Sequence, residues 1–206
     1  MNKINRSIFT KKKLNIFVIS ILILGVIFGA IFLNVININD QKLVIDKIKT
    51  FIDSINNNIF NSIIAFKNSI SINLIYIIII WLLGMTLIGI PINIFLLFIK
   101  SFILGFSISS FIITYSYKGL VLSAIYLLLG EIINILVIII LTIFSILFSI
   151  KLFKVIFKKN NNNEILKFIK SYGMIFLIGI VLSFLSSLCE AFIVPAIIKL
   201  MIKLFI

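Results

Sequence analysis

Histidine is absent from this 206-residue chain, cysteine occurs once, at Cys189, and proline twice. The first absence removes the commonest general base and the commonest zinc ligand. A single cysteine excludes an intramolecular disulfide framework and any multi-cysteine metal site. Acid is scarce too, with six carboxylates in the whole chain. Membrane metalloproteases and Ser-His hydrolases are therefore excluded, no nucleophile has a base beside it, and neither cofactor nor metal is expected. Charged residues make up only 12%, about half the share of a soluble domain.

What is present is apolar. Hydrophobic residues are 62% of the chain and the mean hydropathy is +1.31, more than a soluble domain of this size can hide in a core. Several nearly uncharged runs are long enough, at ~1.5 Å of helix per residue, to cross ~30 Å of hydrocarbon. The net charge of +13 would suit nucleic acid, but the lysines sit in short patches between apolar runs. Membrane orientation and anionic headgroups account for them better. The lipid bilayer is the expected partner and nucleic acid is not.

The composition predicts an all-α integral membrane protein, a bundle of about five transmembrane helices. Residues 1–13 carry Lys3, Arg6, Lys11, Lys12 and Lys13 and read as a cytoplasmic start. The apolar run over 14–36 exceeds the ~7–15 residues of a signal-peptide core and reads as a retained first span. Residues 37–73 are mixed: Val44, Ile48, Phe51, Ile55, Ile59, Ile63, Phe66 and Ile70 recur at helical steps, opposite Lys42, Asp46, Lys49 and Asp53. That is an amphipathic helical segment outside the membrane, with weak helix propensity at Asn56 to Asn58. Spans are expected over 74–99 and 101–117, with a broken helix pair around Pro91, because proline removes a backbone hydrogen bond. The run from Phe102 to Tyr115, roughly 21 Å as a helix, is short for a crossing. A further span covers 120–150, a basic loop 151–171, and a last span 172–198. By the positive-inside rule the loop shares the side of the N-terminus, so an even number of crossings separates them.

Glu131 and Glu190 are the sharpest candidates for a role, because a carboxylate in hydrocarbon costs at least a few kcal/mol and needs a partner. Each reads either as part of a proton or ion relay or, the preferred reading, as a structural group. A structural carboxylate would be protonated, paired with Lys100, Lys118 or Lys199, or near the headgroups. Gly25 and Gly29 form a G-x-x-x-G spacing that suits close helix packing and leaves a homo-oligomer open. Ser183, Ser186 and Ser187 read as packing residues. The amphipathic segment can lie flat on the bilayer or offer a face to a partner protein.

Trp81, Gly84, Gly89, Pro91, Lys100, Gly105 and Phe106, read in order, resemble the most recognisable segment of the stage II sporulation protein M family. Gly25 to Ala30 in the first span, and Ser186 to Pro195 in the last, agree with the same family in order and position. The chain departs from it at Leu128 to Gly130, where members often carry proline and a polar residue, and at Ser101, where they have glycine. The first departure leaves a re-entrant break there without its usual residues.

The resemblance implies a non-enzymatic membrane scaffold of the sporulation engulfment machinery. Such a protein recruits membrane-anchored cell-wall hydrolases, stage II sporulation proteins D and P, to the septal membrane of the mother cell. Peptidoglycan cleavage would fall to those partners. The alternative is a small permease or channel, with Lys100, Glu131 and Glu190 in a polar pathway and a binding site at the Pro91 break. A flippase-like lipid handler ranks behind both.

Overall fold

The computed structural model describes the backbone of residues 3–158 and 162–205 and the side chains of residues 12–155 and 168–203. Among the described residues every element is helical: α1 (Lys3–Val35), α2 (Ile38–Asn56), α3 (Ser62–Gly84), α4 (Gly89–Tyr115), α5 (Tyr117–Ile125), α6 (Ile132–Lys158), α7 (Asn162–Leu188) and α8 (Val194–Phe205). A π-helical turn, Tyr126–Glu131, joins α5 to α6, and a second, Cys189–Ile193, joins α7 to α8. Five stretches are long and apolar enough to cross a membrane: Lys12–Val35, Ser62–Gly84, Gly89–Tyr115, Tyr117–Val155 and Phe168–Lys203.

The first, fourth and fifth of these lie close to the expected spans, but the middle two differ. The helix break lies at residues 85–88, ahead of Pro91, so the expected spans 74–99 and 101–117 are replaced by α3 and by a single unbroken α4. Pro91 falls in the first turn of α4, where backbone N–H groups have no intrahelical acceptor to lose. It therefore starts a helix instead of breaking one. The short run from Phe102 to Tyr115 is the second half of α4, which removes the difficulty of its length.

The segment 37–73 also divides. Its first half is α2; its second half, from Ser62, is the start of spanning helix α3. Between them Asn58 adopts φ 57°, a conformation asparagine tolerates better than most residues. Asn61 caps α3, its Oδ1 accepting from the backbone N–H groups of Ile63 and Ile64 at 3.1 Å each. Those bonds satisfy donors that a helix start otherwise leaves open. At the α4–α5 corner Ser116 takes φ 55° and ψ −131°, which lets α5 turn straight back alongside α4.

Two apolar clusters organise the bundle. Val18, Ile77, Ile80, Leu97, Ile138 and Leu141 form one, bringing together α1, α3, α4 and α6. The other is built by Ile52 and Ile55 of α2 with Phe111, Leu122, Val194 and Ile198. α2 is thus seated on α4, α5 and α8, while Lys42, Asp46, Lys49 and Asp53 remain exposed. Lys199 donates to Asn58 Oδ1, tying α8 to the turn that follows α2.

Four of the stretches long and apolar enough to cross precede the end of α6, the even number that the lysine distribution asks for. α2 then lies at the opposite end. Lys3, Arg6 and Lys11, and the loop Asn160 to Asn163 with Lys158, Lys159 and Lys167, are outside the residues whose side chains are described.

Candidate functional site

The fold draws a group of buried polar side chains, Asn73, Lys100, Glu131, Asn134, Ser183 and Ser187, to one place. Lys100, at the middle of α4, is 7% exposed and its Nζ lies 3.2 Å from Glu131 Oε2. It also reaches Glu131 Oε1 at 3.4 Å and Asn73 Oδ1 of α3 at 3.5 Å. Asn134, one helical turn beyond Glu131, donates to the same Asn73 oxygen at 2.5 Å. Ser183 of α7 donates to Asn134 Oδ1 at 3.0 Å. Asn73 in turn donates to Ser187 Oγ at 3.2 Å and Ser69 Oγ at 3.3 Å. Ser69 completes the chain by donating to Glu190 Oε2 at 2.5 Å, and Tyr126 donates to Glu190 Oε1 at 3.2 Å.

The result is a continuous hydrogen-bonded network across α3, α4, α6 and α7 and both π-helical turns. Inside a low-dielectric bundle such a network holds its members in one arrangement, because each group left alone would bear the full cost of desolvation. Lys100 and Glu131 neutralise each other. Glu190, by contrast, is held among the described residues by hydroxyl donors, and the cation of the network is committed to Glu131.

The π-helical turns explain how both carboxylates arrive there. A π turn inserts one residue into the helical register and re-aims the side chains around it. Tyr126–Glu131 carries Tyr126 and Glu131, and Cys189–Ile193 carries Glu190. Pro195 lies just past the second turn, buried in α8. Its ring cannot accept an ordinary α-helical register at that point, so the widened turn accommodates it. Ser186 Oγ bonds the Gly130 carbonyl at 2.6 Å, fastening the first π turn to α7. No re-entrant break occurs at Leu128 to Gly130; the chain stays helical through them.

The glycines and Trp81 belong to two other devices. Gly25 and Gly29 of α1 face α4: a methyl on Gly25 would stand 2.6 Å from Ser101 Cβ, and one on Gly29 would collide with the Phe102 carbonyl. Gly105 answers from α4, its open face against the backbone of Val26. The G-x-x-x-G face is thus filled by a helix of the same chain. Trp81, Gly84, Gly89 and Pro91 build the α3–α4 hairpin. Trp81 stacks on Phe176 at 4.5 Å, and Tyr172 donates to the Trp81 carbonyl at 2.9 Å. Ser149 bonds the carbonyls of Gly84 and Thr86 at 2.7 and 2.9 Å, closing the turn.

The structure therefore gathers Lys100, Glu131 and Glu190 into one site and leaves the remaining candidates in packing seams. Ser69, Asn73, Tyr126 and Asn134 were not among the residues singled out from the sequence. A signal existed: Ser69 and Asn73, Glu131 and Asn134, and Ser183, Ser187 and Glu190 recur at steps of three or four residues on otherwise apolar helices.

A cavity of ≈360 Å³ reaches this network from the α2 end. Glu190, Ser69 and Tyr126 line it together with Ile48 and Phe51 of α2.

The family model described as stage II sporulation protein M matches residues 18–195 of the chain. No curated protein and no solved structure matches it.

Proposed function

Because the chain belongs to the stage II sporulation protein M family and is a sporulation-related multi-pass membrane protein, we propose that it acts as a non-enzymatic scaffold of the engulfment machinery. In this reading it recruits membrane-anchored cell-wall hydrolases, stage II sporulation proteins D and P, to the septal membrane of the mother cell. One observation carries the reading: α2 is anchored by Ile52 and Ile55 on α4, α5 and α8 while its charged face stays exposed. A surface helix fixed to a stapled bundle presents a constant pattern of charge, which favours specific encounter with a partner. Reversing Asp46 and Asp53 to lysine is expected to lower recovery of the hydrolases in a cross-linked pull-down about tenfold, as loss of central interface contacts does. Unchanged recovery would remove α2 from the interface.

A second reading, the small permease or channel, is favoured by the gathering of Lys100, Glu131 and Glu190 in one network. Intramembrane ionisable groups that share hydrogen bonds are the usual parts of an ion pathway. If it holds, Glu131→Gln in proteoliposomes abolishes a specific proton or cation flux that the parent protein shows. Equal, background flux from both proteins would exclude it.

A further inference from the structure

The cavity under α2 is not used by the scaffold reading and stands independently of it. Its walls are apolar, formed by Ile48 and Phe51 of α2, Phe60 of the following turn and Phe111 of α4, and Glu190 with Ser69 and Tyr126 provides its polar wall. A second cavity of ≈320 Å³ shares Ile48 and Ser107 with the first and is lined by Lys47. The first cavity is bordered by Ile72 of α3, which is 53% exposed on a helix apolar enough to span the membrane. It therefore communicates with the flank that hydrocarbon would cover.

Glu190 lies about 33 Å of helix beyond Phe168, one turn before Val194, which shares a cluster with Ile52 and Ile55 of α2. Its oxygens accept from Ser69 and Tyr126 at 2.5 and 3.2 Å. A carboxylate oxygen has capacity for more than one donor. Lys100 is bonded to Glu131, and among the described residues the hydrogen bonds to the Glu190 carboxyl come from the hydroxyls of Ser69 and Tyr126. A site with an apolar body, one carboxyl group held by hydroxyls and a lysine at the adjoining cavity is complementary to a zwitterion with an ammonium donor, a phosphate and an apolar tail.

We propose that the two adjacent cavities under α2 bind a phospholipid bearing a primary ammonium, of the phosphatidylethanolamine class, from the leaflet on the α2 side. The ammonium donates to Glu190, the phosphate is directed towards Lys47, and the acyl chains leave past Ile72. A quaternary ammonium cannot donate a hydrogen bond to the carboxylate, so phosphatidylcholine is discriminated against. An anionic lipid without an amine meets a carboxylate of its own sign.

Native mass spectrometry of the full chain in detergent, with phosphatidylethanolamine, phosphatidylcholine and phosphatidylglycerol supplied in turn, tests this. The expected result is one retained phosphatidylethanolamine, preferred about tenfold over the other two, the ratio that a charge-assisted hydrogen bond supports. Glu190→Gln is expected to erase the preference. Ala65→Phe, which fills the cavity from α3 and leaves Glu190 in place, is expected to abolish retention, with a melting transition confirming that each variant is folded. Should Glu190→Gln fail to fold, Ala65→Phe and the lipid comparison decide. Equal retention of phosphatidylcholine, a preference that survives Glu190→Gln, or retention undiminished in Ala65→Phe would overturn the proposal. So would free ethanolamine binding to a chain that retains no lipid.

Discussion

Replacing Lys100 with methionine is expected to destabilise the protein by about 3–5 kcal/mol, because it leaves the Glu131 carboxylate buried without its cation. The size of the effect follows from what surrounds the pair. Both residues are 7% exposed, Lys100 Nζ lies 3.2 Å from Glu131 Oε2, and the same ammonium reaches Asn73 Oδ1. Methionine fills most of the volume of the lysine stem, so the loss reflects the orphaned charge and not a cavity. Removing the other partner as well should reverse much of it: Lys100→Met with Glu131→Leu is expected to recover most of the stability, since two apolar groups need neither desolvation nor pairing. Unfolding in mixed detergent micelles, read by the change in helicity, checks both. A Lys100→Met midpoint equal to that of the parent would show that the two side chains are not a buried pair.

Gly29→Ile is expected to cost about 3 kcal/mol or more, the upper end of what an overpacked interface loses. Helices in a bilayer gain nothing from hiding apolar surface from lipid, so their association depends on close backbone approach and dispersion. α1 reaches α4 through Gly25 and Gly29 on one side and Gly105 on the other. Phe32 stacks edge-on against Phe102 at 5.3 Å beside them. A branched side chain at residue 29 meets the Phe102 backbone, which cannot rotate away as a side chain would. α1 must then separate from α4 along the seam and lose the aromatic contacts too. Ile31, on the same helix but 54% exposed, supplies the contrast: Ile31→Ala is expected to change stability by no more than about 0.5 kcal/mol. The same micelle unfolding experiment measures the two variants side by side. Equal midpoints would mean that α1 is not held by its glycine face.

The parts of the fold that were legible from the sequence are those set by solvent. Runs of leucine, isoleucine and phenylalanine long enough to cross hydrocarbon mark the spans, and the step of the apolar residues through Val44, Ile48, Phe51 and Ile55 marks α2. The glycine pair at residues 25 and 29 lies on the face of α1 that meets the α4 backbone, where close approach offsets the helix cost of glycine. Pro91 misled for a reason that is physical. Proline is equally compatible with ending one helix and with the first turn of the next, and composition does not distinguish the two. The decision is made by Thr86, whose hydroxyl accepts from the Gly89 N–H at 3.1 Å, and by Ser149 bonding across from α6. The Thr86 contact is local, but Ser149 lies more than sixty residues away in the chain.

The network was legible only in part. Glu131 and Glu190 stood out because charge in an apolar run is costly, and Lys100 stood out with them. Which carboxylate took the lysine was set by the π-helical turns, which shift side-chain direction by one residue without any change in hydrophobic pattern. Asn73 and Asn134 are polar, short and uncharged, and each is tolerable alone in a helix. They acquire their importance from meeting each other at 2.5 Å, a relation that only the folded chain displays. The placing of Glu190 with Ser69 and Tyr126 at the cavity under α2 is of the same kind.

In the proposed function the bundle holds α2 in place as a recruiting surface. A cross-linked pull-down of the tagged chain from sporulating cells, with the co-purifying proteins identified by mass spectrometry, tests it most directly when the parent is run beside the variant carrying Asp46→Lys and Asp53→Lys. The account predicts cell-wall hydrolases with the parent and about tenfold less with the variant, at equal recovery of the bait. Recovery of the bait alone from both, with no hydrolase in either, would contradict it.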